Sequence, residues 1–205
     1  MPNGRVFAII PAAGHSRRMG RPKLLLPIGQ RTVIGRLLAV LDSPRILERF
    51  VVMRQDDSAL AHAVRSAEAT VIQPTTDPSD MRYSVEAALI EIQNRHAPNA
   101  DDAWLLIPAD YPLIQRQTVE TLLDAWTETP AKILIPTHAG RRGHPVIFSW
   151  TLAERVPPIP ADRGLNALVH ESAAYVQEVP VTDPAIRLDM DTPDDYERLQ
   201  RFESE

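Results

Sequence analysis

The chain has 205 residues and a formal net charge of -5, a balance that argues against non-specific binding to nucleic acid or to an anionic membrane surface. Hydrophobic residues make up 44% and aromatic ones only 5%, so a core of ordinary size must be filled by Val, Ile, Leu and Ala. The absence of cysteine excludes disulfides, thiolate metal sites and cysteine nucleophiles. No apolar run approaches the ~18 residues needed to cross a bilayer. Met1 to Arg5 runs straight towards a strand with no signal-peptide pattern, so a cytoplasmic location is expected.

The first predicted element is Phe7-Ala8-Ile9-Ile10, an apolar run that reads as a strand buried on both faces. Small residues follow at Pro11, Ala12, Ala13, Gly14 and Ser16, then cations at Arg17, Arg18, Arg21 and Lys23. A strand running into a small-residue loop exposes backbone N–H groups, and such a nest attracts phosphate oxygens. Nearby cations neutralise a polyphosphate, arginine as a fork and lysine as a point charge. A charge run alone is ordinarily a solvated turn. The lysine weighs against that here, because only Lys23 and Lys132 are lysines among 22 basic residues.

The string Ala12-Ala13-Gly14-x-Ser16-x-Arg18-Met19-Gly20-x-x-Lys23, followed by Leu26-Pro27 and Gly29, resembles the signature loop of the MobA-like nucleotidyltransferase superfamily. Within that group it is most similar to the molybdenum cofactor (molybdopterin) cytidylyltransferases. Pro11 departs from the family's usual leucine; at a strand end this removes a single N–H.

Thr32 is placed to cap a helix through Val33, Ile34, Leu37, Leu38 and Leu41, apolar at helical spacing. Phe50 to Met53 reads as a second buried strand. Asp56, Asp57 and Ser58 supply N-cap chemistry for a helix ending near Glu68, and Thr70 to Gln73 reads as a third strand. Alternating strands and helices predict a parallel sheet with right-handed crossovers. A polar loop, Pro74 to Asp80, leads into a helix from Met81 to about Arg95. In related cytidylyltransferases a Ser-Val step here helps to recognise the base, which makes Ser84 the counterpart; the plainer reading is a helix-start residue.

Ala103 to Ile107 is an apolar run that ends abruptly before Asp110, placing a carboxylate at the edge where open α/β sheets bind ligands. Magnesium takes one or two carboxylates together with substrate phosphates; otherwise Asp110 merely starts the Tyr111-Pro112 turn. The resemblance implies a metal ligand, with Ala109 in place of a family glycine. Gln117 to Trp126 is an amphipathic helix and Lys132 to Pro136 a strand. Arg142-Gly143-His144-Pro145, ahead of another β run, resembles the family's acceptor-side segment, with Gly143 allowing a backbone to approach a ligand closely. A solvated hairpin turn fits the same residues.

Trp150 to Val156 reads as a short helix, and Asp162-Arg163-Gly164-Leu165-Asn166 opens a helix to about Ser172. Asp162 and Gly164 keep the family pattern, whereas Ala161, Leu165 and Asn166 stand where it has Gly, Ala and Arg. Tyr175 to Val179 and Ile186 to Met190 read as strands, the second placing Asp189 and Asp191 on one face. Thr192-Pro193 begins a last helix, with Asp194 and Asp195 as first-turn acids. Asp-x-Asp-Thr-Pro-x-Asp resembles the family's C-terminal motif and implies that Asp191 completes the metal site.

The expected architecture is an α/β three-layer sandwich with a mostly parallel, Rossmann-like sheet of the nucleotide-diphospho-sugar transferase type. It forms a single domain over 1–205, with a nucleotide-binding half (1–131) and an acceptor-binding half (132–205). The resemblance implies transfer of a nucleoside monophosphate from an NTP, CTP favoured, onto a phosphorylated small molecule, with molybdopterin favoured and pyrophosphate released. Ala12, Ala13, Gly14, Ser16, Arg18, Lys23 and Ser84 would bind the nucleotide, Arg18, Lys23 and Asp110 would serve catalysis, and Asp110 and Asp191 would hold Mg2+. Arg142, His144 and Asp162 would meet the acceptor, and a molybdoenzyme or its accessory chaperone is the implied protein partner. GTP or another phosphorylated acceptor is the first alternative. A non-catalytic nucleotide-binding accessory protein of the same fold is the second. Lys23 and Arg18 are both expected to face solvent in the empty loop.

Overall fold

The structure, a computed structural model, describes residues 4–129, 131–160 and 163–202. Its elements in order are β1 (Val6–Pro11), β2 (Pro27–Ile28), β3 (Arg31–Thr32), α1 (Val33–Val40), β4 (Ile46–Val52), α2 (Ser58–Ser66), β5 (Thr70–Ile72) and α3 (Met81–His96). There follow β6 (Ala103–Leu106), α4 (Arg116–Glu128), β7 (Ile133–His138), β8 (Arg141–Arg142), β9 (Val146–Ser149), α5 (Asn166–Glu171), β10 (Val176–Pro180) and α6 (Pro193–Phe202). The helix starts follow local chemistry. The Thr32 hydroxyl accepts from the Gly35 N–H at 3.1 Å, Asp57 accepts from Leu60 at 3.2 Å, and Asp80 accepts from Tyr83 at 3.1 Å.

Among the described residues the main sheet has eight strands in the order β10-β7-β9-β6-β1-β4-β5, with β8 paired to the end of β7. The pairs β1–β4, β1–β6, β4–β5 and β7–β10 are parallel, while β9 runs antiparallel between β6 and β7. Strand alternation splits β1 between two cores. Val6, Ala8 and Ile10 pack with apolar residues of α1, α2, α4 and α6, whereas Phe7 and Ile9 pack with those of α3 and α5. That is the three-layer, mostly parallel arrangement expected. Trp104 stacks on Phe148 at 4.2 Å and joins β6 to the reversed strand β9 on the α3 side.

One expected strand does not form. Ile186 to Met190 is not extended: Pro184–Arg187 makes a 3-10 turn, capped by Asp183, whose carboxylate accepts from the Ala185 N–H at 2.9 Å. Proline at the start of a turn and an acid capping it favour helical over strand geometry. Asp189 and Asp191 therefore do not share a strand face. None of the described helices is long and apolar enough to cross a membrane.

Candidate active site

Parallel strands discharge their loops at one edge, and the loops after β1, β5 and β6 enclose a cavity of about 590 Å³ there. Its lining includes Ala12, Gly14, Lys23, Ser79, Ser84 and Asp110. The Ala12 N–H still pairs with the Val52 carbonyl at 2.7 Å, but among the described residues the N–H groups of Ala13, Gly14, His15 and Ser16 meet no acceptor. Ser16 adopts a left-handed conformation, φ 50, ahead of the 3-10 turn Arg17–Met19. A left-handed residue beside right-handed ones makes an anion nest. A Cβ built on Gly14 would meet nothing within 4 Å, so the room beside this glycine is not filled by the protein. Ser84 is buried, and its hydroxyl donates to the carbonyl of Asp80, the α3 N-cap, at 3.4 Å.

Lys23 does not face solvent. It is only 8% exposed, and its ammonium donates to Asp110 Oδ2 at 2.7 Å, the Met190 carbonyl at 2.8 Å and Asp191 Oδ1 at 2.9 Å. All three protons of the ammonium are used. The expectation failed because a buried cation is tolerated where carboxylates neutralise it, and those partners come from distant parts of the chain. Burial opposes the charged form, yet the two aspartates outweigh it and hold the Lys23 pKa above its ordinary value. Arg18 does face solvent, 71% exposed at its side chain, with Nη2 on Asp191 Oδ2 at 2.9 Å.

The two carboxylates thus converge, since oxygens sharing one Nζ lie no farther apart than their two distances laid end to end. Asp110 is placed by continuation of the β1–β6 pairing: the Ile107 and Ala109 N–H groups donate to the Ile9 and Pro11 carbonyls. The Met190 N–H then donates to the Asp110 carbonyl at 3.0 Å and draws in the segment bearing Asp191. Asp195 Oδ2 accepts from the N–H groups of Asp191 and Thr192 and from the Thr192 hydroxyl, at 3.2, 2.9 and 2.8 Å. In return the Thr192 hydroxyl accepts from the Asp195 N–H, which is a capping box closing α6. Asp195 is thus more than a first-turn acid, and its three-residue spacing after Thr192 is the sequence signal for the box.

Two carboxylates and a backbone carbonyl around one cation are an all-oxygen donor set suited to a hard divalent ion. Among the described residues no cluster of three His, Cys, Asp or Glu has metal-binding geometry. An ion here would therefore rest on two protein carboxylates and take its remaining ligands from water and phosphate.

A second cavity of about 540 Å³ lies beyond Tyr111, lined by Arg142, His144, Asp189, Arg187 and His170 among others. Arg142 pairs with Glu178 at 2.8 Å. His144 keeps one ring nitrogen, Nδ1, buried without a partner. Burial drives its pKa down to about 4 against the opposing pull of the Leu106 carbonyl and Asp189, so the ring is neutral near pH 7. Burial, then the charges of Asp189, Asp110 and Asp191, raise the Tyr111 pKa. Gly143 approaches protein rather than ligand: a Cβ there would lie 2.3 Å from the Ile186 carbonyl oxygen. Asp189 lines this cavity, while Asp191 reaches Lys23. Asp162 lies outside the described residues.

The chain matches known proteins along most of its length. It is 25% identical over 193 residues to the molybdenum cofactor cytidylyltransferase of Escherichia coli, covering 93% of each chain. It is 27% identical over 208 residues to the phosphoenolpyruvate guanylyltransferase of Rubrobacter xylanophilus, covering 95% of this chain and 93% of the relative. A Mycobacterium tuberculosis protein crystallised in complex with manganese superposes with a TM-score of 0.77 at 26% identity, covering 96% and 98% of the two chains. Residues 8–178 match the model of the MobA-like NTP transferase domain, and the chain belongs to that family of nucleotidyltransferases.

Proposed function

We propose that this protein is a divalent-metal-dependent cytoplasmic nucleotidyltransferase that moves CMP from CTP onto a phosphorylated acceptor, molybdopterin first, and releases pyrophosphate. The observation that carries the reading is the convergence of Lys23, Asp110 and Asp191 at a cavity also lined by a loop with backbone N–H groups unpaired among the described residues. An acceptor phosphate oxygen attacks the α-phosphorus from the second cavity. The new P–O bond forms as the bond to the bridging α–β oxygen breaks, and pyrophosphate leaves with that electron pair. Such chemistry requires positioning and charge neutralisation rather than a covalent nucleophile.

Ala12 is tied back to β4 by its own N–H, and the N–H groups of Ala13, Gly14, His15 and Ser16 cradle the phosphates, Arg18 steadies the leaving pyrophosphate, and Lys23 turns from the aspartates to the α-phosphate. Ser84 lies on the base side. Asp110 and Asp191 would hold Mg2+ or Mn2+, which would supply neutralisation of the phosphate oxygens in the transition state. Arg142 and His144, which line the second cavity, meet the acceptor, and delivery of the product to a molybdoenzyme or its chaperone completes the reading.

The guanylyltransferase likeness favours one second reading, GTP with a different phosphorylated acceptor. Pyrophosphate release should be measured with each NTP, with molybdopterin or phosphoenolpyruvate, and with magnesium, manganese or chelator. Release with CTP and molybdopterin alone supports the first reading, and release with GTP and phosphoenolpyruvate supports the second. Nucleotide binding without turnover in any combination would make the protein a non-catalytic relative.

A further inference from the structure

We propose that Arg54 is a positioning residue for the phosphate loop: from behind the loop it holds the Gly14 carbonyl and so turns the His15 N–H towards the nucleotide cavity. The inference rests on the reading of that loop as the phosphate site.

Arg54 stands just beyond β4, the strand whose Val52 carbonyl anchors Ala12. Its Nη1 donates to the Gly14 carbonyl at 3.2 Å, and its Nε donates to Asp56 Oδ1 at 3.1 Å. Asp57, which caps α2, lies 4.0 Å from Nη2. The backbone is pinned as well, because Gln73 Nε2 donates to the carbonyls of Arg54 and Gln55 at 2.9 and 3.1 Å. With its side chain only 18% exposed, the guanidinium is held on several sides rather than waving in solvent.

Its place relative to the loop gives that contact a direction. Arg54, Asp56 and Asp57 line a cavity of about 520 Å³ behind the loop and do not line the nucleotide cavity, whereas Gly14 and His15 border both. The sole cis peptide among the described residues is His144–Pro145, so the Gly14–His15 peptide is trans. In a planar trans peptide the C=O and N–H point to opposite sides. A carbonyl drawn back to Arg54 therefore aims the His15 N–H forward, where it meets no acceptor among the described residues. The open space at Gly14 lies beside it. A donor aligned before the anion arrives avoids the ordering cost of aligning it on binding. A surface Arg54–Asp56 pair with no such role would contribute almost nothing measurable.

The test is calorimetric titration of inorganic pyrophosphate into the wild type, R54M and R54K, with melting temperatures and amide NMR spectra of the ligand-free proteins. R54M should weaken pyrophosphate binding by about tenfold and shift the His15 amide resonance before any ligand is added. R54K retains a cationic donor for the same carbonyl and should recover most of the affinity. Unchanged affinity in R54M, with or without a lower melting temperature, overturns the inference and leaves the loop reading intact. Loss in both variants with an unmoved His15 amide means that the arginine meets the anion itself and overturns the positioning role. A wild type that binds no pyrophosphate overturns the loop reading and this inference with it.

Discussion

The cavity that Asp110 lines and the one beyond Tyr111 differ in what they present. The one at the edge after β1 and β6 adds the N–H groups of Ala13, Gly14 and His15, unpaired among the described residues, to the side chains of Arg17, Lys23, Asp80 and Asp110. The one beyond Tyr111 presents side chains: Arg142, already paired with Glu178, the neutral His144, Arg187 and His170. A backbone nest tolerates change at neighbouring side chains, because its donors survive substitution. A side-chain pocket changes its ligand with each substitution. The proposed function assigns nucleotide handling to the first kind of site and acceptor choice to the second.

The largest test of that division is the lysine that lines the first cavity. Lys23→Met should lower turnover more than a hundredfold, since each charge-assisted contact is worth roughly 1.5–3 kcal/mol and every ~1.4 kcal/mol is tenfold. It should also lower the melting temperature, by leaving Asp110 and Asp191 to repel one another at 20% and 31% exposure. Added Mn2+ should restore more of that loss than it adds to the wild type; no differential effect in a thermal melt would remove the shared-cation reading.

Asp110→Asn and Asp191→Asn should each lower metal-dependent turnover by about a hundredfold. They should destabilise the ligand-free protein less than Lys23→Met, because the ammonium keeps one carboxylate. Variants that retain magnesium-dependent pyrophosphate release would shift the metal elsewhere. Arg18→Ala should cost about tenfold in turnover at unchanged melting temperature, since its exposed pair with Asp191 contributes little to folding.

A crossed pair sharpens the comparison further. Ser84→Ala should raise the KM for CTP by about threefold to tenfold, more than for a competing NTP, and leave the acceptor KM alone. Arg142→Ala should do the reverse. Equal shifts in both constants for either variant would erase the boundary between the cavities.

The smallest effect concerns pH. His144 has a folded pKa lowered to about 4 from an ordinary 6.5, so between those values the unfolded chain takes up a proton that the folded one refuses. Its contribution to stability is therefore whole above about pH 6.5 and falls as pH drops towards about 4. His144→Asn should flatten the stability profile in that window alone, as read from denaturant titrations across it.

Much of the first half could be read directly from the sequence. The uninterrupted apolar run before Pro11 is what a strand buried on both faces requires, and Thr32 and Asp57 cap the helices they were expected to start. Asp110 lies at the ligand edge because a carboxylate closing an apolar run has nowhere else to go. These features depend on period, capping and strand ends, all local properties of the chain. The fate of Lys23 does not: its partners lie 87 and 168 positions away, so nothing near it in sequence distinguishes a solvated lysine from one clamped between two acids. Gly143 is small for the sake of the Ile186 carbonyl, Arg54 holds a peptide 40 positions back, and Ile186 to Met190 yields its strand pattern to a capped turn. Period and capping were enough for the parallel strands of the first half and the helices beside them; which charges meet emerged with the fold, because charge pairing depends on distances in space that local patterns do not encode.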